Sequence, residues 1–266
     1  MSLQSHDHLL SIAQKAALEA GNMLKEAFGT SFRIDSKEGR HNLVTEYDHR
    51  AEDMIISCIH SAFPDHIFLA EESGSTGAPA DTIRWIIDPL DGTVNFAHSI
   101  PIFCVSIAAE QSGKLLCGVI YAPMTSELFT GTHGGGAYLN GQALSVSTTD
   151  NLEDAILVTG FPYNAWENPQ NCIDHFSRFV RMGLPVRRLG SAALDLAYLA
   201  AGRFDGYWEV SLNAWDVAAG KLLLQEAGGM ITQYDGSPHN LYNGTMLATN
   251  GRIHKAMSKI LTEQVS

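Results

Sequence analysis

The 266-residue sequence predicts a mixed α/β fold: a first half of helices packed on an antiparallel meander, joined to a second half of layered α/β type. Three observations predict it. Two amphipathic helical stripes precede any strand, a series of short β-patterned runs joined by tight turns follows, and beyond about residue 150 strand-like and helical segments alternate.

From Leu9 to Phe28, the apolar residues Leu9, Ile12, Ala16, Ala20, Met23 and Ala27 recur at spacings of three and four, and Gly29 ends the helix they predict. A second stripe, Ala51, Met54, Ile55, Cys58, Ile59 and Ala62, predicts a helix from about Arg50 that Pro64 stops. HIFLA, IRWIID, PIFCVSIAA and LLCGVIYA read as strands, the last two linked by a hairpin at Ser112-Gly113-Lys114. YLNGQALSV carries Asn140-Gly141, a type I′ hairpin signal. In the second half AILVTGF, PVRRL and GYWEV alternate with helical patterns around 168–182, 191–201 and 215–227. Because no proline- or serine-rich linker separates 1–149 from 150–266, the halves are expected to share an extensive interface and act as one catalytic unit.

Charge narrows the function classes. With 17 Lys+Arg against 29 Asp+Glu, the net charge of -12 repels phosphate backbones and anionic membrane surfaces, so neither nucleic acid nor membrane is an expected partner. A small phosphorylated substrate stays possible if bound cations invert the field where acids cluster. The four cysteines show no zinc-type spacing and read as reduced core residues. There is no basic-plus-apolar leader and no apolar run near the ~18 residues of a membrane span, so the cytoplasm is the expected location.

The segment WIIDPLDGTVNF, from Trp85 to Phe96, sets two acids at the exit of an apolar strand. Its turn lets Asp88 and Asp91 converge, while Gly92 and Thr93 open a helix whose free N–H groups attract an anion. Carboxylates beside an anion site are reconciled by hard Mg²⁺, which takes oxygen ligands and shares substrate phosphate oxygens. Pro-x-Asp-Gly is also an ordinary turn. Two further segments bring acids: Glu71-Glu72-Ser73-Gly74 after HIFLA, and Trp215-Asp216 at the start of a helix. The glutamates could equally be a solvated loop, and Asp216 a helix cap.

WIIDPLDGTVNFAH, Glu71-Glu72-Ser73, WDVAAGKLLLQEAGG and the intervening RRLGSAALDLAYLAAGRFDGYWE together resemble the inositol monophosphatase family of metal-dependent, lithium-sensitive phosphatases, in the right order over nearly the whole chain. The resemblance implies a layered α-β-α-β-α sandwich of the sugar-phosphatase type and a homodimer. It implies that Glu71, Asp88, Asp91 and Asp216, with the backbone carbonyl of Leu90, hold two or three Mg²⁺ ions, Asp88 bridging two of them. Thr93 with Asp48 would orient and deprotonate the attacking water, and Lys37 matches a family lysine near the metals. Gly92 and Thr93 would give N–H groups to the phosphate, and Gly190, Ser191, Ala192, Glu209 and Asp216 match positions that contact substrate.

The chemistry explains these residue types. Water is a feeble nucleophile and the ester is already dianionic; two metals about 4 Å apart can acidify the water and steady the leaving alkoxide. A threonine hydroxyl bonded to Asp48 would relay to the water, and an ionised Glu209 can accept two polyol hydroxyls. Asp48 could instead simply cap the helix near Arg50.

Other signals point elsewhere and are weaker. HisGlyGlyGly at 133–136 is similar to an esterase oxyanion loop, but no G-x-S-x-G accompanies it, so a glycine turn is expected. No P-loop and no dinucleotide fingerprint is present. The eleven histidines are scattered, with His98 nearest the acidic loop, and Phe96, Phe103 and Cys104 are expected to pack beneath it. The expected activity is Mg²⁺-dependent hydrolysis of a small polyol phosphate, inositol 1-phosphate first. Histidinol phosphate and fructose 1,6-bisphosphate are the enzymatic alternatives, and a regulatory binding protein with incidental phosphatase activity is the alternative of another class.

Overall fold

A computed structural model describes residues 5–36, 42–75, 81–242 and 244–263. The first two helices, α1 (His6–Ala27) and α2 (Glu46–Ala62), lie together on one face of a sheet, as their apolar stripes require. Before α2, β1 (Ile34–Ser36) and β2 (Leu43–Thr45) form a small antiparallel ribbon.

Eight strands build the large sheet: β3 (Ile67–Ala70), β4 (Gly74–Ser75), β5 (Arg84–Asp91), β6 (Cys104–Gln111), β7 (Lys114–Ala122), β8 (Glu127–Thr132), β9 (Gly136–Leu139) and β10 (Gln142–Ala143). Their order is β10-β9-β8-β7-β6-β5-β3-β4. The short α3 (Thr93–Ala97) follows β5. A five-stranded sheet, in the order β12-β11-β13-β15-β14, comes from β11 (Leu157–Thr159), β12 (Val186–Arg187), β13 (Gly206–Val210), β14 (Met230–Thr232) and β15 (Thr245–Thr249). Helices α5 (Ala192–Ala200) and α6 (Ala214–Glu226) pack together between the two sheets, and α4 (Cys172–Arg181) with α7 (His254–Thr262) covers the far side of the smaller one. The result is the layered α-β-α-β-α sandwich.

The layering explains the unbroken apolar run of β5. Trp85 and Ile87 enter the core beneath α1 and α2, whereas Ile86 enters the core around α5 and α6. A strand buried on both faces has no polar side to alternate with.

Four local expectations need correction. The large sheet is not a pure meander, because β3 pairs parallel with β5. Strand β5 does not end at Asp88: from Asp88 to Asp91 it takes three steps against two on β6, Ser106 to Cys104, and this bulge absorbs Pro89, which has no N–H to pair. Helix α2 begins at Glu46, not near Arg50, since Thr45 caps it. Strands β1, β2, β4, β8, β14 and β15 and helix α7 lie outside the predicted pattern. Both hairpin turns form as expected, with Ser112-Gly113 and Asn140-Gly141 in left-handed backbone.

Candidate active site

One cavity of about 440 Å³ opens where the C-terminal end of β5 meets the starts of α5 and α6. The bulge places Asp88 and Asp91 on its wall, both nearly sealed from solvent. Asp88 Oδ1 accepts the Leu90 N–H at 3.0 Å, a tie that curls the backbone after Pro89. Asp91 Oδ2 accepts from Ser191 Oγ at 2.6 Å and from the Ala193 N–H at 2.7 Å, so the first turn of α5 grips it.

The other acids arrive from separate elements. Glu71 follows β3 in a loop pinned by Glu52 of α2, whose carboxylate accepts the Glu72 and Ser73 N–H groups at 2.9 Å each. Glu71 is half-buried and lines the cavity, unlike a freely solvated loop residue. Asp216 accepts the Asn213 N–H at 2.7 Å in a capping box of α6 and lines the same cavity. It is therefore a cap and a cavity residue at once.

Burial pushes the Asp88 and Asp216 carboxyls well above their ordinary range, and the neighbouring acids push them further. Asp91 rises to about 6, with burial outweighing its hydrogen bonds. Among the described residues, no three acidic, histidine or cysteine side chains close around a single point as a finished cage. The donor set nevertheless suits a hard divalent cation: these are oxygen ligands only, they raise one another's proton affinity, and Leu90 lines the same cavity. A cation among them would remove the mutual repulsion that now favours their protonated forms.

Behind the acids lies Asp48, fully buried. Its Oδ2 accepts the Thr45 N–H at 2.8 Å and the Thr45 hydroxyl at 2.6 Å. Its Oδ1 lies 3.0 Å from Thr93 Oγ1, which is also 3.0 Å from the Leu90 carbonyl oxygen. Asp48 thus belongs to the α2 capping box and also bonds Thr93. Burial raises its carboxyl to about 6, against the opposing pull of these hydrogen bonds. Gly92, between Asp91 and Thr93, has φ +100, and a Cβ there would sit 2.9 Å from the Ile102 carbonyl oxygen, so only glycine makes this corner.

The rest of the lining is collected from the smaller sheet and its helices. Gly190, Ser191, Ala192 and Glu209 line it, with Glu209 on β13 accepting the Tyr207 hydroxyl. Burial lifts Glu209 to about 7. Gly160 leaves room for that carboxylate, because a Cβ there would fall 2.1 Å from Oε2.

A profile described as the inositol monophosphatase family matches residues 5–266. The chain belongs to that family. It is 45% identical over 252 residues to an inositol-1-monophosphatase of Synechocystis sp., an alignment covering 95% of this chain and 88% of that protein. It is 42% identical over 259 residues, 97% of each chain, to the Nus factor SuhB of Escherichia coli. Among solved structures, the extragenic suppressor protein suhB from Bartonella henselae superposes with a TM-score of 0.91 at 37% identity, covering 97% of this chain and 100% of that one. Family membership makes the chain a phosphatase of a generally metal-dependent type.

Two cavity residues were not singled out from the sequence. Arg188 faces Glu209 and Asp195 and favours their charged forms, while Asp195 is buried and raised well above its ordinary range by burial, Glu209 and Asp91. Among the described residues, Oδ1 of Asp195 has no hydrogen-bond partner. The available signal was a lone acid inside the apolar AALDLAYLA of α5. Lys37 lies outside the described residues. His98 is exposed and does not line the cavity. The glycines after His133 form the turn between β8 and β9, where the Gly134 and Gly136 N–H groups donate to Glu226 at 2.7 and 2.9 Å, so this is no oxyanion loop. Phe96, Phe103 and Cys104 are buried under the β5 bulge, and Cys104 Sγ lies 3.7 Å from Asp91 Oδ2. No described helix is long and apolar enough to cross a membrane.

Proposed function

We propose that this phosphatase hydrolyses the phosphate monoester of a small polyol, with inositol 1-phosphate the leading substrate. The observation that carries this reading is a single cavity lined by Glu71, Asp88, Asp91 and Asp216 and, from the smaller sheet, by Glu209. Mg²⁺ held by those four carboxylates and the Leu90 carbonyl would supply charge neutralisation at the phosphate and a lowered pKa for a bound water. The remaining steps belong to the chain. Thr93 Oγ1 accepts a hydrogen bond from the attacking water as its own proton turns toward Asp48 Oδ1, 3.0 Å away. An Asp48 carboxyl near 6 is mostly ionised at pH 7 yet basic enough to share that proton, as a general base requires. Gly92 and Thr93 offer backbone N–H groups to the phosphate at the start of α3, where no side chain caps the helix. Glu209, held from behind by Tyr207, accepts hydroxyls of the polyol.

Phosphate release from inositol 1-phosphate, histidinol phosphate, fructose 1,6-bisphosphate and 3′-phosphoadenosine 5′-phosphate at fixed Mg²⁺ tests the reading. Inositol 1-phosphate should give the highest kcat/KM, and chelator should abolish turnover. Full activity in chelator would sink the metal mechanism, and preference for another ester would reassign the substrate. A second reading, a regulatory protein that binds a partner, draws on the relative named Nus factor SuhB. Pull-downs comparing wild type with Asp91→Asn separate the two: if partner binding and cellular phenotype survive that change, the regulatory role prevails. The homodimer implied by the family is checked by sedimentation.

A further inference from the structure

A second cavity, of about 370 Å³, lies at the opposite end of β5 and β6. Asp91 pairs with Cys104 at the acidic end of these strands and Arg84 with Glu110 at this one, so roughly 20 Å of strand separates the two cavities. Lys114, His133, Lys221 and His239 share its wall with Glu110 and Gln225.

Lys221, on α6, is the informative residue. Its ammonium donates to the His239 carbonyl oxygen at 2.9 Å and lies 3.5 Å from His239 Nδ1, yet no carboxylate bonds it among the described residues. Burial lowers its pKa, and burial together with Lys221 drives His239 down to about 4, so the imidazole beside it is neutral and brings no charge. The acids nearby bond other groups than Lys221, though they keep their charge. Glu110 accepts the Tyr242 hydroxyl at 2.8 Å, and Glu226, beside His133, accepts the Gly134 and Gly136 N–H groups. Lys114 stands exposed at the start of β7, and among the described residues no carboxylate pairs with it. A half-buried ammonium that no carboxylate bonds is costly, and in a chain of net charge -12 Lys221 and Lys114 share a wall that one carboxylate, Glu110, lines, with Glu226 beside His133. Leu115 and Leu241 provide apolar floor beside the cationic groups, and the volume suits a metabolite.

We propose that this cavity binds a small organic oxyanion, its carboxylate or phosphate set against Lys221 and Lys114 and its carbon skeleton on Leu115 and Leu241. The site is separate from the catalytic cavity and stands whether or not the polyol phosphate is the substrate.

Histidine-ring NMR of the metal-free protein in EDTA tests it, because without cations the acidic cavity repels anions. Inorganic phosphate and malonate are titrated separately, with the His133 and His239 signals identified from His133→Asn and His239→Asn. A saturable shift of the His239 signal is expected with at least one probe, and which probe saturates first says whether phosphate or carboxylate is preferred. Lys221→Met should weaken that binding at least tenfold while Mg²⁺-dependent phosphatase activity stays at the wild-type level. Lys114→Gln, at an exposed strand end, supplies an independent variant should Lys221→Met fold poorly, with weaker binding again expected. Absence of a saturable shift with both anions, or titrations in the folded variants that match wild type, overturns the proposal.

Discussion

The two sides of the catalytic cavity are built in different ways. On the acidic side, Asp88, Leu90, Asp91, Gly92 and Thr93 are nearly consecutive, and one bulge at Pro89 aims them all. On the other side, Arg188, Asp195 and Glu209 come from a loop, a helix and a strand of the second half, and each depends on how α5 and β13 pack. The difference suggests a division of labour: a locally determined end for the chemistry common to phosphate esters, and a tertiary end whose residues can vary with the alcohol.

That division can be broken by kinetics, beginning with the largest effect. Asp88→Asn removes the acid most surrounded by other acids, and kcat should fall roughly 10³-fold or more, about 4 kcal/mol, with the circular dichroism spectrum unchanged. Near-wild-type turnover would show that the acidic side is not the chemical one. Asp48→Asn keeps the shape of the capping box but cannot take the Thr93 proton; kcat should drop roughly 10²-fold, and the acidic limb of the pH profile, expected near pH 6, should disappear. A rise in KM alone would instead assign Asp48 to binding.

Glu209→Gln sharpens the comparison from the other side. KM for inositol 1-phosphate should rise roughly tenfold, with kcat changed less and discrimination among esters reduced. If kcat fell as far as in Asp88→Asn, the two sides would not be separable.

The smallest effect concerns stability. Asp48 and Asp91 have carboxyls raised from an ordinary 3.8 to about 6, and Glu209 from 4.5 to about 7, so between those values the folded state holds more protons than the unfolded chain. Their contribution to stability therefore falls as pH rises through this window. In EDTA the melting temperature should fall from pH 5 to pH 7.5 by a margin that the quadruple change Asp48→Asn, Asp88→Asn, Asp91→Asn and Asp216→Asn reduces. Saturating Mg²⁺ should raise the wild-type melting temperature by about 5 °C at pH 7.5 and by less at pH 5. Equal stabilisation at both pH values would place the cation away from these carboxylates.

Much of the acidic side was legible in the residues themselves, because its spacing is a property of one strand exit. Even there Pro89 misled, since a bulge lets a strand continue past a residue that cannot pair. Asp48 posed a choice between capping and catalysis that no spacing could resolve; in the fold one oxygen caps α2 and the other bonds Thr93. Arg188 and Asp195 stayed hidden because their meaning depends on facing Glu209 across a cavity, not on neighbours in the chain. Strands β14 and β15 were missed for a related reason: short strands within a polar C-terminal stretch acquire their burial only from the sheet they join.

Taken alone, the order of residues determined the helical stripes, the hairpin turns, the apolar run of β5 and the acids at its exit, because periodicity and turn chemistry act over a few neighbouring residues. Only the tertiary structure decided that Glu71 and Asp216 reach the same cavity, that Ser191 and α5 hold Asp91, and that no carboxylate among the described residues bonds Lys221 at the far end of the strands. Those are statements about distance and burial between segments, and they exist only once the layers have closed on one another.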